Sequence, residues 1–208
     1  MSPKESLHEL FKDLPGIGTR QAERFVYFLM RKSPGYIKHL QEHLGSLHTN
    51  MHRCTESYQY FYDTDTSQTL SPLARNPERD RSILMVVAKD VDLKTIEEAH
   101  IYKGTYFVIG GLAPMIDSDI NRYINLDTLK DRVHHRATKE SLQEVILALP
   151  LNTEGEHTRT IIARALSDLS KEHGFKITRL GRGLSTGTEL EYSDGETLRY
   201  ALEGRSTE

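Results

Sequence analysis

Apolar residues change their spacing twice along this chain, and the changes divide it. In the first fifty residues they recur at helical intervals. Ala22, Phe25, Val26 and Leu29 fall at i, i+3, i+4 and i+7, and Ile37, Leu40, Leu44 and Leu47 mark one side of a further helix opened by Ser33-Pro34. The pattern predicts helices over 4–13, 19–32 and from 34 to about 50. From Cys54 to Asn76 the helical spacing dissolves: Tyr58, Tyr60 and Tyr62 alternate as in a short strand, and a run rich in Thr, Ser and Asp follows. This stretch reads as a small irregular insert or linker. From Ser82 the apolar residues gather into four runs, Ile83–Ala88, Tyr106–Ile109, Val145–Leu149 and Phe175–Leu180. Such runs suit strands buried on both faces. Helix-like segments near 92–102, 126–136 and 154–172 separate them, the last with Ile161, Ile162, Ala165, Leu166 and Leu169 on one face. The alternation predicts an α/β layer with a largely parallel sheet. A glycine-rich loop from Gly181 to Gly187 then leads to a final helix near 194–203.

Between the first two helices stands Leu14-Pro15-Gly16-Ile17-Gly18. Glycines at 16 and 18 allow positive φ and leave backbone N–H groups uncovered. A turn of this kind, at the positive end of a helix, seats phosphate. Pro15 stiffens the turn, and Leu14 and Ile17 are expected to tuck inward. Arg20, Arg24, Tyr27 and Arg31 recur at intervals of four, three and four, lining a largely cationic face. Arginine at a helix start runs against the dipole, which is reasonable if an external anion occupies the site. The DNA-binding candidates are therefore Gly16, Ile17, Gly18, Arg20, Arg24 and Arg31. The alternative is a tight connection between helices beside a solvated face.

Composition refines this picture. The 208 residues are 37% hydrophobic and 27% charged, as in ordinary soluble proteins, and are enough for a substantial core. No apolar run approaches a membrane span, and Met-Ser-Pro-Lys-Glu-Ser has no apolar stretch behind its charges, so a cytoplasmic protein without a signal peptide is expected. The formal charge is −3, but residues 1–53 hold eight Lys/Arg against five Asp/Glu, which is +3 and leaves −6 on the remainder. A basic amino-terminal region on an acidic body implies localised phosphate contact. A single cysteine, Cys54, excludes an internal disulfide and a Cys-rich metal site.

Several motifs recur in one order: the Leu14–Gly18 turn, Arg79-Asp80-Arg81-Ser82, Tyr102-Lys103-Gly104, Asn152-Thr153-Glu154-Gly155-Glu156, Leu190-Glu191-Tyr192 and Ala201-Leu202-Glu203-Gly204-Arg205. In order and spacing together the chain resembles the RecR family of bacterial recombination mediators over nearly its whole length. The resemblance implies an α+β multidomain protein. It would comprise a helix-hairpin-helix DNA-binding region (1–53), a degenerate zinc-finger insert (54–78), a Toprim-like α/β domain with a mostly parallel sheet (79–175) and a carboxy-terminal segment (176–208) that completes that domain and makes subunit contacts. It further implies a non-catalytic homo-oligomer, a ring-like tetramer. This would bind single- or double-stranded DNA without sequence preference and work with RecO, and in some members RecF, to load RecA onto single-stranded DNA.

Two departures from the family's pattern matter. The family's zinc finger carries two Cys-x-x-Cys pairs; here Cys54 stands at the first position, Ser57 at the second, and Ser71 and Ala74 at the later pair. One thiolate cannot hold a structural tetrahedral zinc, so neither zinc nor any other cofactor is expected. Tyr58, Tyr60, Phe61 and Tyr62 are expected to pack the insert instead. His48 and His52 near Cys54 raise a substitute site, against the reading that histidines four apart on a helix are ordinary polar residues. Active Toprim domains hold Mg²⁺ with a glutamate at the end of the first strand and a downstream pair of aspartates. Ala88 stands at the glutamate position, and an alanine neither ligates metal nor transfers a proton. Asp90 and Asp92 read as helix caps. The competing functional readings, a Toprim-type Mg²⁺-dependent nuclease or primase and a pure interaction module, meet Ala88 and the arginine stripe respectively as obstacles.

Thr153 and Glu156 have capping-box spacing. Glu154 and Gly155 are not needed for a cap, and the resemblance links this acidic corner to RecO, which makes Glu154 and Glu156 partner-binding candidates. The loop Gly181–Gly187 lacks the Gly-Lys-Ser/Thr ending of a P-loop and reads as a turn before a strand. His134 and His135 point in different directions on one helix and read as surface histidines.

Overall fold

The helical spacing of the first fifty residues becomes three helices: α1 (Pro3–Lys12), α2 (Thr19–Met30) and α3 (Pro34–Asn50). Ser2 and Glu5 close a reciprocal cap on α1, the Ser2 amide donating to Glu5 Oε2 at 2.7 Å. The Ser33 hydroxyl accepts the Tyr36 amide at 3.3 Å and Pro34 starts α3. The computed structural model describes residues 1–117, 119–181, 189–193 and 195–203, with the backbone alone for His48, Leu190, Glu196, Tyr200, Leu202 and Glu203. The chain folds as two compact units, Met1–Met51 with Tyr62–Thr66 and His52–Phe61 with Ser67–Glu208. The insert expected over 54–78 is divided between them. In the first unit Ala22 and Val26 are buried, and Phe11 meets Phe25 edge-on with ring centroids 5.8 Å apart. Leu44 and Leu47, on the apolar side of α3, are exposed.

The insert forms β1 (Met51–Arg53), β2 (Tyr60–Tyr62) and the short α4 (Pro72–Arg75). Its centre is Cys54, fully buried. The Ser57 and Ser71 amides approach its sulfur at 3.4 and 3.3 Å, and the Ser71 hydroxyl accepts the Ala74 amide at 3.2 Å. Burial pushes the thiol pKa up, but the bonds from Ser57 and Ser71 outweigh it and leave it below its ordinary value. The tyrosines do not pack the insert as expected. Alternation along β2 buries Phe61, 5% exposed, and turns Tyr60 and Tyr62 outward. Tyr58 is half-buried and stacks on Phe107 with centroids 5.4 Å apart.

The four apolar runs form one all-parallel sheet of β3 (Asp80–Val87), β4 (Gly104–Val108), β5 (Glu144–Ala148) and β6 (Lys176–Arg179), in the order β4-β3-β5-β6. The connecting helices are α5 (Asp90–Glu98), α6 (Leu126–Lys139) and α7 (Thr153–His173), and α8 (Gly195–Glu203) follows a 3-10 turn at Leu190–Tyr192. Leu84, Val86, Phe107, Val145 and Leu147 on one sheet face pack with Leu129 and Val133 of α6 and Ile162 and Leu166 of α7. Met85, Val87, Tyr106 and Val108 on the other pack with Leu93 of α5. Right-handed crossovers require this split, because β3 connects to one side of the sheet and β4 and β5 to the other. The ends of β3 and β5 thereby form the topological switch point, the place where sheets of this kind collect functional groups.

One constraint acts at that point and another at the opposite end of the strands. The first turn of α7 sits so close to the end of β5 that a Cβ on Gly155 would collide with the Pro150 carbonyl. At the starts of β3 and β4, the buried Arg136 guanidinium donates to the Arg81 carbonyl, the Thr105 hydroxyl and Glu140. Arg81 also donates to Glu140 and to Glu56 of the insert at 3.1 Å each. Among the described residues no helix is long and apolar enough to cross a membrane.

Candidate nucleic-acid interface

The turn between α1 and α2 begins as the Leu14 amide bonds back to the Phe11 carbonyl at 3.2 Å. Gly16 then takes φ +77°, a conformation that favours glycine. The Ile17 amide donates to the Leu14 carbonyl at 3.1 Å, so it is spent on the turn and not available to a ligand. Gly18 caps α2 from an extended conformation with no side chain to offer. The amides of Gly16, Gly18, Thr19 and Arg20 have no protein acceptor among the described residues, and no acid stands in the first turn of α2. Space over both glycines is open, since a Cβ on either would meet nothing within 4 Å. The result is a bare positive helix end. Ile17 is half-buried, whereas Leu14, 48% exposed, does not tuck inward as expected.

Arg20, Arg24 and Arg31 are all exposed along α2, and none has a carboxylate partner among the described residues. Arg24 donates to the Gln21 side chain at 3.3 Å. The structure adds Lys4, whose ammonium lies 4.5 Å over the Tyr27 ring and donates to its hydroxyl at 2.8 Å. No periodicity in the sequence connects Lys4 to this stripe; the packing of α1 on α2 does. Beside these helices an open groove of about 690 Å³ is lined by Glu5, Glu9 and Glu23 along with Lys4. Three carboxylates make that groove unsuited to phosphate, although Thr19 at the start of α2 also lines it.

At the switch point of the sheet the chemistry is different. Ala88, 1% exposed, follows β3 and offers no ligand. Asp92 accepts the Lys89 amide at 2.9 Å and so closes the start of α5. Asp90 accepts the Tyr60 amide at 2.7 Å and belongs to the insert's support, not to a cap. Asn152, not Thr153, caps α7: its side chain accepts the Gly155 amide at 2.8 Å. The Thr153–Glu156 capping box is therefore not formed. Glu156 pairs instead with Arg159, and Glu154 stands exposed in the first turn of α7, its carboxylate without an ion-pair partner among the described residues. Such acids suit a helix start. Among the described residues no three His, Cys, Asp or Glu side chains converge on a metal site.

Cys54, Ser57, Ser71 and Ala74 do stand together, as family zinc ligands would, but a lone thiol and two hydroxyls do not make a structural zinc's donor set. The His48 side chain lies outside the described residues, and the His52 ring lies 5.8 Å from that of Phe61. His134 meets His173 with ring centroids 5.7 Å apart, while His135 is 3.9 Å from Glu140. Residues 182–187 of the glycine-rich loop lie outside the described residues.

The sheet region, residues 82–181, matches the Toprim domain family, and residues 183–206 match the RecR carboxy-terminal family. Over 204 residues, 98% of its length, the chain is 36% identical to the recombination protein RecR of Prochlorococcus marinus strain MIT 9515, of which it covers 96%. It is 35% identical over the same length to those of Chloroflexus aggregans and of Roseiflexus sp. strain RS-1, covering 93% of each. Similarity of this extent, joined to a Toprim sheet with alanine at the end of its first strand, places the chain in the RecR family of recombination proteins.

Proposed function

We propose that this chain is a DNA-binding recombination mediator of the cytoplasm, a ring or clamp that works with RecO, and with RecF where present, to load RecA onto single-stranded DNA. The observation that carries this reading is the bare amino-terminal end of α2 beside three exposed guanidiniums that have no carboxylate partner among the described residues. Read as a helix-hairpin-helix, α1, the turn and α2 hold one phosphate at the Gly16, Gly18 and Thr19 amides and others at Arg20, Arg24 and Arg31. Backbone contacts of this kind position a protein on DNA without reading sequence. Ile17 contributes packing alone, because its amide is already bonded.

Self-association to a tetramer belongs to the same proposal. The first unit buries Ala22 and Val26, while Leu10, Met30, Leu44 and Leu47 are exposed. A unit of that size with so small an interior needs a further surface against which to bury its apolar groups. Partner binding falls to the first turn of α7, where exposed Glu154 supplies the free charge. Glu156, tied to Arg159, holds the turn in shape. The insert does without zinc: the Cys54 sulfur takes two amide bonds where a metal would otherwise join the chain segments.

Four measurements test these assignments. Arg20→Ala with Arg24→Ala lowers DNA affinity about tenfold and reduces the slope of log affinity against log salt by roughly two, one per lost phosphate contact. A double variant that binds like the parent ends the hairpin assignment. Glu154→Ala weakens RecO association several-fold with an unchanged circular dichroism spectrum, and undiminished association removes Glu154 from the interface. Chelation by EDTA leaves the melting midpoint where it was; a fall of several degrees means that a metal supports the insert. Light scattering on the purified protein returns the mass of four chains, and a monomer mass across the working concentration range refutes the ring.

A further inference from the structure

The outward-facing Tyr60 is held more firmly than an exposed tyrosine requires. Its ring, 52% exposed, lies 4.7 Å from the Arg53 guanidinium, which also donates to its hydroxyl at 2.8 Å. The same guanidinium lies 5.0 Å from the ring of Tyr58. Tyr58, in turn, stacks on the fully buried Phe107 of β4. Tyr58 does so with φ +59°, a left-handed conformation that bulky residues rarely adopt. The Tyr60 amide is fastened to Asp90 at 2.7 Å. A chain of ring and cation contacts thus runs from the core of the Toprim-like sheet to solvent, and it ends on an open aromatic face.

The charges around this face favour an anion. Arg53 is exposed and has no carboxylate partner among the described residues. Two acids of this region are already engaged, Asp90 with the Tyr60 amide and Glu56 with Arg81. Arg53 is therefore oriented by two rings and left electrostatically unsatisfied. A rigid exposed ring beside an unpaired cation is what a base and its phosphate need from a single-strand binding surface, because every base offers a π face and every nucleotide a negative charge. In a duplex the base faces are already stacked and cannot reach such a ring.

We infer that Tyr60 and Arg53 form a stacking site for a base of single-stranded nucleic acid, with Tyr58 and Phe107 as its support. This inference rests on the proposal that the chain binds DNA, and it assigns to the insert a strand preference that the glycine turn and arginine stripe do not supply.

The protein contains no tryptophan, so Tyr60→Trp places one indole at the site. Its emission is quenched saturably by an oligothymidylate and little by a duplex. Tyr60→Leu weakens oligothymidylate binding about tenfold and leaves duplex binding unchanged. Tyr60→Phe, which keeps the ring, stays close to the parent. Arg20→Ala with Arg24→Ala lowers both single-strand and duplex binding, which separates the two sites. Circular dichroism and melting of each variant guard against misfolding. Parental oligothymidylate affinity in Tyr60→Leu, or an indole indifferent to bound single strand, overturns the inference while the α2 assignment stands. An indole whose emission shifts with protein concentration alone shows a second copy of the chain on this face and also overturns it. A parent that binds neither DNA form ends both readings.

Discussion

A buried guanidinium organises the larger unit. Arg136 is 4% exposed, and burial pulls its pKa below the ordinary value. It remains tolerable there because every direction it points meets an acceptor: the Arg81 carbonyl on β3, the Thr105 hydroxyl on β4 and Glu140 at the end of its own helix. Burial alone would push the Glu140 carboxyl up, but Arg81 and Arg136 outweigh it and hold it below the usual carboxylate range. Through Arg81 the network reaches Glu56 of the insert. Buried charge of this kind adds little net stability compared with an apolar replacement, but leaving one member unpaired is expensive. Its effect here is to accept one arrangement of α6, strands β3 and β4 and the Cys54 knot and to penalise others.

The smaller unit is governed by the opposite circumstance, groups left unmatched at a surface. A helix start is ordinarily closed by a Ser, Thr, Asp or Asn side chain and favoured by acids in its first turn. Elsewhere Ser2, Ser33, Ser71 and Asn152 cap α1, α3, α4 and α7, and α5 and α6, which lack a side-chain cap, carry acids in the first turn, Asp90 and Asp92 in one and Asp127 in the other. Against that background Gly18 at the start of α2, followed by Arg20 and Arg24, is a local exception. Exceptions of this type gather where function outweighs local stability. Unmatched apolar groups in the same unit, Leu44 and Leu47 on α3 among them, carry the same implication for protein contacts.

How much of this was legible in the sequence depends on how local each feature is. Strands β3 to β5 could be read because a strand covered on both faces must be apolar at successive positions, and Leu84 to Val87 are buried without interruption, whereas edge strand β6, with Lys176 and Arg179 exposed, lacks that signature. Helix α7 could be read from its wide apolar face, although its cap proved to be Asn152, one residue before Thr153, a distinction that only backbone geometry makes. The tyrosines of the insert were misjudged for a different reason. Alternation shows that Tyr60 and Tyr62 share a face opposite Phe61, but not which face meets the core. A single ring at Phe61 filled the interior. The glycine turn was legible as a turn, yet the consumption of the Ile17 amide and the outward position of Leu14 depend on hydrogen bonds between residues three apart. Lys4 and Arg53 could not be found at all, since each owes its place to a partner ring on another element.

The two cationic surfaces differ in what they can distinguish. Guanidiniums and free amides at the start of α2 answer to phosphate, which single and double strands both present, so any preference from them comes through charge density alone. An aromatic face answers to an unstacked base, which a duplex withholds. A protein that acts where single-stranded DNA is exchanged between partners gains from having both kinds of contact, the first to hold the polyanion and the second to recognise that its bases are free. In this chain the proposed contact of the second kind stands beside the buried Cys54. The insert's segments are joined by a thiol knot and a stack of rings, and the stack's last member faces solvent. The contacts that hold the insert together thus also present an exposed, cation-flanked ring.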